Sequence, residues 1–135
     1  MPTESRHHAV RPTTPDAAIQ KGPLAPTAMV IDQNFVGQPN TFGGMPPDTQ
    51  GDVGRDHYVQ WNNLAFAVYS KTGTQLYPAT GYAAGNSLWQ GFGGPCENSN
   101  DGDPITIYDE MADRWVMSQF ALPTYPDPPF FECLA

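Results

Sequence analysis

Pro46-Pro47-Asp48-Thr49-Gln50-Gly51-Asp52-Val53-Gly54-Arg55-Asp56-His57-Tyr58-Val59-Gln60-Trp61 decides how this chain is read. Its first half is polar and rich in turn formers. From His57 the side chains become aromatic and β-branched. Asp48 and Asp52, with Gly51 and Gly54 beside them, therefore read as an acidic loop that runs directly into a strand. The same grammar returns at Asn98-Ser99-Asn100-Asp101-Gly102-Asp103-Pro104, followed by Ile105-Thr106-Ile107-Tyr108-Asp109. The chain reads as a mainly β protein with two carboxylate-bearing loops, each opening a strand.

Outward from this stretch the strands continue. His57–Asn62 and Leu64–Ser70 are predicted as strands, the second with apolar residues on both faces, as in a strand covered on both sides. Ser70-Lys71-Thr72-Gly73 is a turn with Gly73 free to take positive φ, and Thr74–Tyr77 returns from it. Residues 78–94 form a long connection carrying Tyr82, Leu88, Trp89 and Phe92, with room for one helical turn over Gly85–Trp89. Ile105–Asp109, a turn over Asp109–Asp113, and Arg114–Leu122 make a hairpin, with Asp109 or Asp113 placed to pair with Arg114. Pro123–Pro129 is a proline-rich loop, and Phe130–Ala135 opens a further strand. Met29–Ile31 is a short candidate strand near the start. Residues 1–27 hold five prolines and no apolar periodicity, so they read as a disordered leader, and His7-His8 within them as solvated tail. The domain proper is residues 28–135.

Composition narrows the function classes. The chain has 135 residues, enough for one domain, with 15 Pro, 13 Gly and 15% charged residues. This mix suits short antiparallel strands and hairpins. The net charge is −8, and from Ala28 onward 12 acidic residues face only Arg55, Lys71 and Arg114. Such a surface repels nucleic acid and anionic membranes and attracts cations. No apolar run approaches the ~20 residues needed to span a bilayer.

The acidic loops admit two readings. Asp48 and Asp52 in the first, with Asn100, Asp101 and Asp103 in the second, offer the hard oxygens that Ca2+ takes from short loops. Neither loop has the spacing of an EF-hand. The same residue types also cap turns by accepting their own backbone amides. Catalytic signals are sparse. His57 is the one histidine outside residues 1–27, no serine lies in G-x-S-x-G, and Cys96 and Cys133 lack the neighbours of a zinc site. A carboxylate pair such as Asp101/Asp103 keeps glycoside hydrolysis open.

Together, Pro46–Gln60, Ser87-Leu88-Trp89, Asp101-Gly102-Asp103-Pro104 and Tyr108-Asp109…Asp113-Arg114-Trp115 resemble secreted bacterial proteins with a β-propeller-like domain. The resemblance covers about residues 42–135. It implies an incomplete propeller-like sheet, an extracellular setting, and a chain that is the opening piece of a longer protein and needs its remaining blades. It also implies a Cys96–Cys133 disulfide and structurally demanding positions for Asp48, Asp52, Asp101 and Asp103. The expected function is a structural or binding module for glycans or extracellular proteins. A glycosidase-type propeller hydrolase is the alternative. The repeated S-x-D-x-G-x-T-W box and the arginine cluster of sialidase-type propellers are missing.

Overall fold

The structure, a computed structural model, describes residues 31–135. The expected leader, His7-His8, Met29 and Val30 lie outside the described residues, and Ile31 is in no regular element. The elements are β1 (Thr49–Val53), β2 (His57–Asn62), β3 (Ala65–Ser70), β4 (Gln75–Tyr77), β5 (Ala83–Ala84), a 3-10 turn over Gly85–Trp89, α1 (Pro95–Asn98), β6 (Ile105–Asp109), β7 (Arg114–Ala121) and β8 (Phe131–Leu134). They form two antiparallel sheets. The first has the order β1-β2-β3-β4, with β5 also on β3. The second has the order β6-β7-β8. Among the described residues the sheets close into neither a barrel nor a ring.

The hairpins follow from local chemistry. Asn62 pairs with Ala65, leaving Asn63-Leu64 as a two-residue turn in which Asn63 takes φ 40°. Asn is among the few side chains that tolerate this region. Gly73 takes φ 88° in the β3–β4 turn, as expected, and a side chain there would meet the Phe35 ring at 2.6 Å.

One expectation needs correction. The stretch Asp48–Asp52 is not a loop: Thr49–Val53 pairs with β2 along its whole length, from Thr49 opposite Asn62 to Val53 opposite Tyr58. Its polar, glycine-bearing sequence conceals an edge strand, because a short exposed edge needs backbone pairing and no apolar face. The true turn follows it, closed by the Gly54 N–H on the His57 carbonyl at 2.8 Å. Gly51 is required within the strand, since a Cβ would lie 2.9 Å from the Val59 carbonyl and 3.0 Å from the Tyr58 hydroxyl. The predicted helical turn at Gly85–Trp89 is present. The four-residue α1, begun by Pro95, follows it.

The core lies between the sheets. Val59, Trp61 and Phe66 from the first meet Met117, Ala121 and Cys133 from the second, with Trp89 closing one side. Trp61 is completely buried, its ring 5.3 Å from Phe66, and its indole N–H donates to the Asn63 carbonyl at 2.8 Å. Burying such large apolar groups contributes roughly 1.5–3 kcal/mol each. Gly54 allows the close approach of the sheets: a Cβ there would stand 2.8 Å from the Trp115 ring and 3.0 Å from Tyr108. The Cys96–Cys133 disulfide, with Cα atoms 5.7 Å apart, ties α1 to β8.

The other face of the first sheet is covered by residues 31–39. The Gln38 N–H donates to Gln60 Oε1 at 2.8 Å, Gln38 Nε2 to the Ala65 carbonyl at 2.7 Å, and Asn62 Nδ2 to the Gln38 carbonyl at 2.8 Å. Phe35 packs edge-on to Tyr58 at 5.9 Å and against Tyr69 at 5.7 Å. Period-two alternation explains the division: Val59 and Trp61 point to the core, Tyr58, Gln60 and Asn62 to the arm.

Candidate functional site

The acidic residues separate into two groups by what their oxygens meet. Asp48 stands immediately before β1 at φ 39°, and Asp103 two residues before the start of β6 at φ 50°. Both take the left-handed conformation that Asp and Asn support. Asn63, at the β2–β3 turn, holds the first of them: its Nδ2 donates to the Pro46 carbonyl at 2.7 Å and to Asp48 Oδ2 at 3.1 Å. Gly102 brings the second loop close. It takes φ 81°, and a Cβ there would overlap the Asn63 amide oxygen. The Asp48 and Asp103 carboxyl groups thereby come to face one another in a cleft of about 490 Å³ lined by Pro46, Asp48, Gln50, Asp103 and Pro104.

This arrangement sets the electrostatics. Loss of hydration raises the Asp103 carboxyl above the ordinary Asp value of 3.8, and the facing Asp48 raises it further, with a smaller push from Glu132. Two carboxylates at this range either share a proton or need a cation between them. Asp48, Asp103 and the Gln50 amide oxygen are hard oxygen donors, the class calcium takes, and water completes such shells. Among the described residues no three His, Cys, Asp or Glu side chains gather as metal ligands. The carboxylate contribution is thus the pair alone.

The remaining predicted ligands face backbone amides. Asp52 accepts the Val53 N–H at 2.7 Å through Oδ1 and the Tyr108 N–H at 2.9 Å through Oδ2. These two bonds, the Tyr108 one first, hold its carboxyl below the ordinary value. Asp101 Oδ2 accepts the Leu122 N–H at 2.6 Å. Asn100 Oδ1 accepts the Asn86 N–H at 3.1 Å while its Nδ2 donates to the Leu64 carbonyl at 2.9 Å. The structure does not bring these three to the Asp48–Asp103 cleft. Asp109 caps its own turn, accepting from Met111 and Ala112, and Asp113 pairs with Arg55 at 3.2 Å instead of with Arg114.

One residue that shapes the cleft, Asn63, has no role in the sequence reading. Asn63 falls between the strands expected at His57–Asn62 and Leu64–Ser70. The available signal for Asn63 was an Asn at a two-residue turn between apolar runs.

The order of contacts fixes how the sheets meet. Asp48 faces Asp103 at the start of β1 and β6, and Asp52 reaches Tyr108 further along both. The two strands, from different sheets, run side by side in the same direction. Comparison with protein-family models, with curated proteins and with solved structures gives no match.

Proposed function

We propose that this chain is an extracellular structural and binding module, two neighbouring blades of a β-propeller-like domain, with calcium held at the Asp48–Asp103 cleft. The observation that carries the reading is the parallel course of β1 and β6. A meander of four strands and a meander of three lie face to face, and the first strand of each runs along the first strand of the other. Radially arranged blades place their first strands in this way around a shared axis. The disulfide supports an exported chain, because oxidised structural pairs persist outside the reducing cytosol. The acidic surface and the carboxylate pair support a cation, which would offset the lost hydration and the facing Asp48 that raise Asp103.

A binding role is supported over glycoside hydrolysis by how the carboxylates are placed. Hydrolysis places its two carboxyl groups roughly 5–9.5 Å apart across the bond to be broken. Asp48 and Asp103 face one another across a single cleft, and the Asp101 carboxylate accepts the Leu122 N–H instead.

Thermal unfolding of the oxidised chain with calcium, with magnesium and with chelator tests the reading. A ligand that binds only the folded form raises the midpoint. Calcium is expected to raise it, and a midpoint indifferent to calcium and chelator rejects the cation. The blade arrangement is checked separately by the structure of the exported protein, in which a stack of sheets without a common axis beside β1 and β6 rejects it.

A further inference from the structure

A groove of about 860 Å³ lies on the arm-covered side of the first sheet, within the range of roughly 300–1,000 Å³ common for small-ligand sites. One wall is the arm, with Asp32, Gln33, Asn34 and Phe35. The other is Tyr58, Gln60 and Lys71. Val53 and Lys71, at the ends of β1 and β3, place it at the turn end of the sheet, opposite the end that carries Asp48.

Its chemistry is specific. Phe35 and Tyr58, both half-buried, supply an aromatic surface fixed by their edge-on contact and by Tyr69 behind them. Gly51 leaves room for the Tyr58 hydroxyl, which has no hydrogen-bond partner among the described residues. The side chains of Asp32, Gln33 and Asn34 are exposed, and neither they nor Lys71 make a side-chain hydrogen bond or ion pair among the described residues. Gln38, 5% exposed, is fixed in the wall by its Nε2 donating to the Ala65 carbonyl. The groove thus combines an aromatic surface, two free amides, a phenol, a carboxylate and one ammonium group.

We propose that this groove binds a short neutral saccharide. The inference deepens the binding-module reading and rests on it. Each free amide offers a donor and an acceptor together, matching adjacent hydroxyls on a sugar ring. The aromatic surface receives the apolar C–H face of the ring. A polyanionic ligand is disfavoured, since Lys71 is the only cation in the groove's lining, which also carries Asp32. A hydrocarbon ligand would leave the amides, the phenol and the charges unpaired.

Calorimetric titration of the oxidised chain in saturating calcium tests the proposal, with oligomers of glucan, mannan, xylan, galactan and chitin as probes. Polygalacturonate oligomers and a mixed-peptide library are the competing ligands. At least one neutral oligomer is expected to bind. Tyr58→Phe, which keeps the ring, is expected to weaken it roughly two- to tenfold, the effect of one lost hydrogen bond. The exposed pair of changes Gln33→Ala and Asn34→Ala is expected to weaken it further, with both variants melting like the parent. Failure of every neutral oligomer, preference for polygalacturonate or peptide, or unchanged affinity in both variants overturns the proposal. Because the cation site is saturated and lies at the other end of the sheet, none of these failures touches the calcium reading.

Discussion

The Asp52 carboxylate on β1 accepts the backbone N–H of Tyr108 on β6 at 2.9 Å, joining two strands that share no ladder. Its other oxygen takes the Val53 N–H, so one side chain closes an edge amide of each sheet. Edge amides left unpaired beside a packed neighbour are costly.

Asp52→Asn removes the charge from both bonds. Hydrogen bonds to charged groups contribute about 1.5–3 kcal/mol, and the partly solvated position argues for the lower end. The expected loss of midpoint is roughly 4–8 °C per kcal/mol for a domain of this size. The lowered pKa makes this contribution present at neutral pH and lost as pH falls below 3.8 through the depressed folded value. The gap between parent and variant in thermal melts is therefore expected to be full at pH 7 and to close in strong acid.

Asp103→Asn is expected to do the opposite in chelator. Its raised pKa means that the charged form burdens the folded state at neutral pH, and the burden lifts as pH falls through the raised value toward 3.8. The variant is expected to melt above the parent at pH 7 and to converge with it near pH 4. With calcium present, the variant is expected to lose the calcium-dependent rise. Scanning calorimetry across pH with and without calcium measures both effects, and a variant that melts below the parent in chelator at pH 7 refutes the carboxylate repulsion.

Replacing both Cys96 and Cys133 with Ala removes a cross-link closing a 37-residue separation. The chain-entropy model assigns such a loop about 3–4 kcal/mol. The expected outcome is a large fall in the urea midpoint with the slope raised by the more open unfolded chain, measured by Trp fluorescence. A midpoint within error of the parent would show that the link adds nothing to the packing of Trp89 and Cys133.

The strands were legible where side chains alternate between a buried and a covered face, as at His57–Asn62, or where a hairpin carries its own turn residues, as at Asn63 and Gly73. β1 was hidden because an exposed edge strand with Gly51 and Asp52 has the composition of a loop, and its identity rests on pairing with β2. The meeting of Asp48 with Asp103 was half legible. Each residue was placed just ahead of a strand, and the two do converge between the two sheets. The sequence could not show that Asp52, Asn100 and Asp101 face amides, since that depends on Tyr108, Leu122 and Asn86 arriving from elsewhere in the chain. The groove was illegible for the same reason: Phe35 and Tyr58 are far apart in sequence and meet only when the arm crosses the sheet.

The strand order carries a consequence for how the molecule assembles. Within the principal strands of each sheet, β1 to β4 and β6 to β8, every strand pairs with its immediate predecessor in the chain. Contacts of this kind need little loop closure and form early. The side-by-side contact of β1 with β6 spans about half of the described residues and draws on the sheets' apolar faces and on Asp52. Folding is thus expected to proceed as two local zippers followed by one docking event. Residues at the docking seam, Gly54 and Trp115 first among them, would then govern the late step, while the hairpin turns at Asn63 and Gly73 govern the early one.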